Sequence, residues 1–366
     1  MSNKKYLYID DENDAKVESL VESINRHNNV TIIKYDSMLF ADFVIWIQEN
    51  RENCDGILLD LILNDKKNNK EQISEYTAPV AAQYLRTLAT DGKIKDLPIV
   101  LCSTDDRLDK LYTNDLTSHN LFDMRFKKDD TDQYELISKE LNSLAIGYEK
   151  ILELRDIDKI LDVDITNLNE KIFARFLMGK TIPEHEKAQF ILKELIFKTG
   201  PLIDEYILAA RLGVDIQRSS DWEKLKTFFS SSLYNGVFSD GWQRWWMFKV
   251  NNIFKSFKGK NLSYLDASER IAILKEITKL ENLVEPNLLM HCNSTRYWTV
   301  NINTKEALDP SEGFRVASQV EPKSWQEYNY LSPYDALERI GREDKGYIVH
   351  KIDEDRLEYL KEILEN

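Results

Sequence analysis

Cysteine is nearly absent from this 366-residue chain. The three present, Cys54, Cys102 and Cys292, are too few and too scattered for a disulfide framework or a zinc site. Glycine (12) and proline (8) are also scarce, which excludes collagen-like, low-complexity and loop-dominated folds. No stretch approaches the roughly 18 uninterrupted apolar residues of a membrane span. The opening residues, MSNKKYLYIDDEND, carry no apolar h-region, so neither secretion nor membrane insertion is expected and the reducing cytoplasm is the expected location. Basic charge is in deficit: 63 acidic residues face 49 basic ones, a formal net charge of −14. A globally acidic chain gains nothing from the phosphate field of a nucleic acid, so such a partner would need a local patch.

What is present is ample core material, 42% hydrophobic with 11% aromatic, enough for two domains. Over the first 130 residues short apolar runs alternate with amphipathic stretches. Residues 6–9, 30–33, 57–61, 99–102 and 124–126 read as buried strands, and Val17, Leu20, Val21 and Ile24 mark one face of a helix. Residues 38–51 and 79–90 behave like that helix. The alternation predicts an α/β fold, a flavodoxin-like doubly wound five-stranded parallel sheet. From about Thr131 the grammar changes to a mostly α domain with a small mixed α/β C-terminal part. Helices are expected near 168–179, 184–198, 202–212, 221–234, 241–257 and 266–283, strands at 296–300 and 346–352, and a closing helix at 356–364. Thr181 with Glu184 and Asp266 with Glu269 are capping-box starts. The expected division is 1–145 and 146–366.

Three carboxylates stand where a parallel sheet gathers ligands. Asp10 and Asp11 end the first strand and Asp60 ends the third; strands one and three are neighbours at the switch point of a 2-1-3-4-5 sheet. Crowded carboxylates repel one another, and a hard divalent cation with oxygen ligands, Mg²⁺ foremost, relieves that repulsion. The ends of the fourth and fifth strands add the hydroxyl of Ser103 and the amine of Lys127. One donates a hydrogen bond to a phosphoryl group and the other neutralises charge as an acyl phosphate forms.

In these five positions, over residues 4–145, the chain resembles the receiver domains of bacterial two-component response regulators. The resemblance implies that Asp60 is the phosphoacceptor of a partner histidine kinase. It also implies that Asp11 and Asp10 hold Mg²⁺ with Asp60, and that the backbone carbonyl of Ile62 completes the shell. The sequence departs from the family in four places. Thr104 follows the hydroxyl where a very small residue is usual, Lys128 follows the lysine where proline is usual, and Met124 takes the place of an aromatic rotamer switch. The loop after Asp60 is enlarged and polar, NDKKNNKEQISEY over 64–76.

The second half carries no nucleophile elbow, P-loop, G-x-G-x-x-G or helix-turn-helix pattern. His185-Glu186 begins like a zinc motif, but Gln189 replaces the second histidine. The stretch 241–260, GWQRWWMFKVNNIFKSFKGK, interleaves basic and aromatic residues. It could stack single-stranded nucleic acid or equally grip a partner's acidic surface, but a core helix with its charges in water is the favoured reading. Arg296-Tyr297-Trp298 and Pro322 to Tyr328 form a second aromatic cluster, either a recognition surface or the lid of the helical core. The tail's style resembles receiver proteins of bacterial phage-defence two-component operons, though no single motif carries the likeness. The function expected is therefore an atypical response regulator, phosphorylated on Asp60, that signals through a downstream protein partner, with a homodimer left open. No enzymatic activity is expected beyond self-phosphorylation and autodephosphorylation. The rivals are a phosphate sink, a receiver-controlled enzyme and a nucleic-acid-binding output.

Overall fold

The computed structural model describes residues 3–12, 15–68, 70–104, 120–177, 182–259 and 261–365. Five strands, β1 (Lys4–Asp10), β2 (Val30–Asp36), β3 (Gly56–Asp60), β4 (Ile99–Ser103) and β5 (Met124–Lys127), form one parallel sheet in the order β2-β1-β3-β4-β5. Helices α1 (Ala15–Asn25), α2 (Phe40–Asn50) and α3 (Ala78–Thr90) make the first three crossovers, most of the β4–β5 connection lies outside the described residues, and the long helix Tyr134–Leu154 follows β5. This is the flavodoxin-like arrangement expected from the alternating pattern.

Strand parity sorts the two faces. Leu7, Ile9, Ile57, Leu59, Ile99 and Leu101 join Phe43, Ile47, Ala81 and Leu85 in one apolar cluster. Tyr6 and Tyr8 alternate to the other face, where the Tyr6 hydroxyl donates to Leu141 O at 2.6 Å. Gly56 opens β3 because a Cβ there would lie 2.2 Å from the Tyr6 ring.

The chain divides into two compact units, but not at residue 145. One comprises Met1–Lys193 with Asn235–Trp242, and the other Glu194–Tyr234 with Gln243–Asn366. The expected boundary falls inside the continuous helix Tyr134–Leu154. A returning segment explains why the first unit reaches further. Phe238 packs on Gly147, where a Cβ would meet its ring at 2.1 Å, and Val237 N–H donates to Ile160 O at 2.9 Å. Gly147 therefore admits a neighbour rather than breaking the helix.

At the N-terminal edge of the sheet lies a buried ionic network. Arg86 donates to Asp96 at 3.0 Å and to Asp123 at 2.8 Å, while Asp123 also accepts from Tyr148 Oη and Ile99 N–H, both at 2.8 Å. His185 closes it, with its backbone N–H and ring Nδ1 at 2.7 and 2.6 Å from Asp96 Oδ2. His185 is thus a partner of a carboxylate. Burial alone would raise the Asp96 carboxyl, yet His185 and Arg86 hold it below its usual value.

The second unit is mostly helical, with Glu205–Leu212, Trp222–Phe228, Met247–Lys258 and Ala267–Thr278 around a core containing Leu208, Leu225, Trp245, Phe254 and Leu274. Asp266 and Glu269 form the expected capping box; Thr181 lies outside the described residues. The expected helix 241–257 begins later, because Trp245–Trp246 pairs antiparallel with Leu202–Ile203 as a short strand. In this segment Phe254 is buried and Phe257 exposed. The strand expected at 296–300 is reduced to Thr299–Val300, and 346–352 supplies only a bridge from Val349 to Val316. The two segments of the second aromatic cluster are tied together by buried Arg211. It forks onto Glu327 with both contacts at 2.7 Å, and its guanidinium lies 4.6 Å from the Trp298 ring centroid. No described helix is long and apolar enough to cross a membrane.

Removing the cation from the edge network strands two buried carboxylates. Arg86→Met is expected to destabilise the protein by about 3–5 kcal/mol, read from the midpoint of urea unfolding. A loss below about 1 kcal/mol would mean the network contributes no more than an ordinary surface pair.

Candidate functional site

At the opposite edge, β1 and β3 end side by side and bring Asp10, Asp11 and Asp60 together. One carboxylate oxygen from each lies within 4.8 Å of the others, and all three residues are buried. The sheet forces this proximity: Ile9 pairs with Leu59, so both chains run out into their acidic residues at the same level.

The cation among them is Lys128, not Lys127. Lys128 Nζ lies 2.8 Å from Asp10 Oδ2, 2.9 Å from Asp60 Oδ1 and 3.4 Å from Glu12 Oε2. The reason is strand parity. Asp60 pairs with Cys102 and Cys102 with Phe126, so these share a face, and Lys128 follows Phe126 by two. Lys127 pairs with Ser103, one residue out of phase, and its side chain is exposed. The backbone of Lys128 is fixed by its N–H to Ser103 O at 3.0 Å and by Tyr134 Oη to its carbonyl at 2.6 Å. The residue after this lysine is Asp129, and there is no cis peptide among the described residues.

Asp11, Asp60, Ile62, Ser103 and Thr104 lie near this edge, with different degrees of satisfaction. Asp60 Oδ2 accepts Ile62 N–H at 3.2 Å. Asp11 Oδ2 accepts the N–H groups of Asp65 and Lys66, both at 2.8 Å, so the enlarged loop is anchored on a site carboxylate. Asn68 Nδ2 adds a bond to Ser37 O at 3.0 Å. Asp11 Oδ1 and Ser103 Oγ, both buried, have no hydrogen-bond partner among the described residues. Thr104 is half-buried beyond Ser103 and Met124 half-buried at the start of β5. From Thr104 and Lys128 an open groove of about 940 Å³ runs along α1, past Lys16, Leu20 and Arg26.

The electrostatics follow from the Lys128 ammonium set among the buried carboxylates of Asp10, Asp11 and Asp60, with Glu12 shared between Lys128 and Lys66. Burial pushes the Asp60 carboxyl up to about 7, opposed by Lys128 and reinforced by Asp10 and Asp11. Burial also raises Asp11 against the pull of the Lys66 and Asp65 N–H groups. Burial would depress Lys128, but Asp60 and Asp10 hold it above its usual value. The donor set fits a hard divalent cation: three crowded carboxylates, a buried carboxylate oxygen with no donor among the described residues, and a surplus of negative charge.

Sequence reasoning missed two participants. Lys128 is signalled by Phe126, the one buried residue of β5, which fixes the parity. Tyr8, whose hydroxyl donates to Asp10 Oδ2, gives no such signal, because a tyrosine in a buried strand reads as core.

No protein-family model and no curated protein matches the chain. Among solved structures, a response regulator receiver domain protein from Clostridium thermocellum is 14% identical, with a TM-score of 0.28, covering 41% of this chain and 98% of its own. The lysine decarboxylase LdcF of Francisella novicida is 12% identical, with a TM-score of 0.24, over 60% of this chain and 32% of its own.

The pH dependence of the cation-free protein tests the charge surplus. With the folded Asp60 pKa raised from 3.8 to about 7, the native state binds a proton that the unfolded state has released. Its stability contribution is therefore full below the unfolded value and declines as pH rises through that window. In chelator, Asp60→Asn is expected to melt higher than the wild type at pH 7.5 and to flatten this decline. Equal melting profiles would remove Asp60 as its source.

Proposed function

We propose that the first unit is a phosphoacceptor of the receiver type, in which Asp60 takes a phosphoryl group from the phosphohistidine of a histidine kinase. The observation that carries this reading is the unsatisfied pair at the strand ends. Among the described residues, Asp11 Oδ1 and Ser103 Oγ lie buried without a hydrogen-bond partner, beside a carboxylate that Lys128 holds. Buried polar atoms are seldom left so unless a ligand completes them.

In this reading Asp11 and Asp60 hold Mg²⁺ with Asp10 nearby, and the Ile62 carbonyl adds a ligand. The ion supplies charge neutralisation between the carboxylates and the incoming phosphoryl oxygens. The rest belongs to the chain. A carboxylate oxygen of Asp60 attacks phosphorus, the P–N bond to the donor imidazole breaks, and the imidazole leaves with that electron pair. Lys128 swings its ammonium from a carboxylate to a phosphoryl oxygen, and Ser103 Oγ donates to another. The groove along α1 opens beside Lys128 and Thr104.

The output lies with the second unit, acting through a protein partner. A phosphate sink is the second reading. The 64–76 loop anchored on Asp11, and Thr104 in place of a smaller residue, both restrict the water that would hydrolyse an acyl phosphate.

Incubation with Mg²⁺ and phosphoramidate is expected to label the wild type once and Asp60→Asn not at all. Lys128→Met should slow labelling by about 100-fold while Lys127→Met leaves it unchanged. Full labelling of Asp60→Asn would overturn the reading.

The decay of the purified phosphoprotein separates a long-lived species from a transient one. Slow loss is expected for the wild type and, with crowding by Thr104 as a cause, loss about tenfold faster for Thr104→Ala. Identical decay curves would exclude Thr104 from the mechanism.

A further inference from the structure

Tyr8 is a buried polar side chain that the proposed chemistry does not use. It lies on β1 two residues before Asp10, with no exposed surface, on the face shared by Asp10, Asp60 and Cys102. Its hydroxyl donates to Asp10 Oδ2, and its other polar neighbour is Cys102 Sγ at 3.8 Å. The same Asp10 oxygen receives Lys128 Nζ at 2.8 Å, and Asp10 Oδ1 receives Glu12 N–H at 2.8 Å. Asp10 therefore has three donors, one of them a cation. Among the described residues Asp11 has two backbone donors on one oxygen and none on the other. The adjacent acids are unequal, and Tyr8 contributes to the inequality.

A phenylalanine would fill the same space in a buried strand, so the hydroxyl has a role beyond packing. A phenol directed at a carboxylate forms a charge-assisted hydrogen bond that fixes the rotamer and draws off charge. Here it fixes the oxygen that also holds Lys128. We propose that Tyr8 is a positioning residue that pins Asp10 to Lys128 and so tempers the attraction of the acidic cluster for a divalent cation. This rests on the receiver reading of the site. Without the hydroxyl, Asp10 carries more uncompensated charge and an oxygen with one fewer donor. Both changes favour the cation.

The test is calorimetric titration of Mg²⁺ into the full chain, with far-UV circular dichroism as a check on folding. Tyr8→Phe is expected to bind Mg²⁺ about three- to tenfold more tightly than wild type, the scale of one charge-assisted hydrogen bond partly offset by relaxation. In an Asp10→Asn background the same substitution should shift affinity by less than about twofold, because the coupling runs through that carboxylate. Replacing Tyr8 with 3-fluorotyrosine, a stronger donor of nearly the same shape, should weaken binding, and this keeps the test available if Tyr8→Phe does not fold. Unchanged or weaker binding by a folded Tyr8→Phe overturns the role of Tyr8 and leaves the receiver reading standing. So does an equal shift in the Asp10→Asn background, or unchanged or tighter binding with 3-fluorotyrosine. No Mg²⁺ binding by the wild type overturns the reading of the site and this inference with it.

Discussion

The first unit is organised around an electrostatic deficit: among the described residues one buried ammonium, Lys128, serves Asp10 and Asp60 and shares Glu12 with Lys66, while Asp11 stands beside them. Like charges this close in a water-poor setting cannot all ionise without a counter-ion. Most of the local structure is a response. The Asp65 and Lys66 N–H groups turn inward to Asp11, Ile62 N–H to Asp60, and Glu12 N–H and the Tyr8 hydroxyl to Asp10. The loop after β3 is held in place by the acid it covers. Even so, compensation is incomplete, since burial still raises the carboxyls of Asp60 and Asp11.

The parts of this architecture legible in the sequence are those governed by periodicity. Strand runs separated by amphipathic helices specify the parallel sheet, and an acid closing β1 and another closing β3 must then meet. Lys127 and Lys128 show the limit of such reasoning. Two adjacent lysines look equivalent along a chain, yet a one-residue change of phase puts one at the carboxylates and leaves the other exposed. Only the burial of Phe126 distinguishes them. Tyr8 was illegible for another reason: its apolar ring fits the strand, and its hydroxyl matters only through a neighbour fixed by the fold.

The compact units also depart from the division at residue 145 that the composition suggests. Composition changes near residue 131, but the first unit continues to Lys193 and takes back 235–242, because Phe238 needs the space that Gly147 leaves. Long-range insertion of this kind has no local signature. In the second unit, too, Trp245 and Trp246 carry an apolar pattern that suits a helix, yet antiparallel pairing with Leu202–Ile203 holds them extended.

The two ends of the sheet show how buried carboxylates serve different purposes. At the N-terminal edge every oxygen of Asp96 and Asp123 has a donor, from Arg86, Tyr148, His185 or a backbone N–H. Such a set is self-sufficient, and its role is to fix structure; a ligand would have to break something to enter. At the C-terminal edge Asp11 keeps an oxygen, and Ser103 a hydroxyl, without a partner among the described residues. Leaving buried polar atoms unpaired costs about 1–3 kcal/mol each, a cost that a structural network avoids. Cation and phosphoryl oxygens together would supply the missing partners, which is why the unsatisfied edge rather than the satisfied one is where chemistry is expected. The same contrast places His185 with structure: its carboxylate partner is already saturated by the residues that hold it.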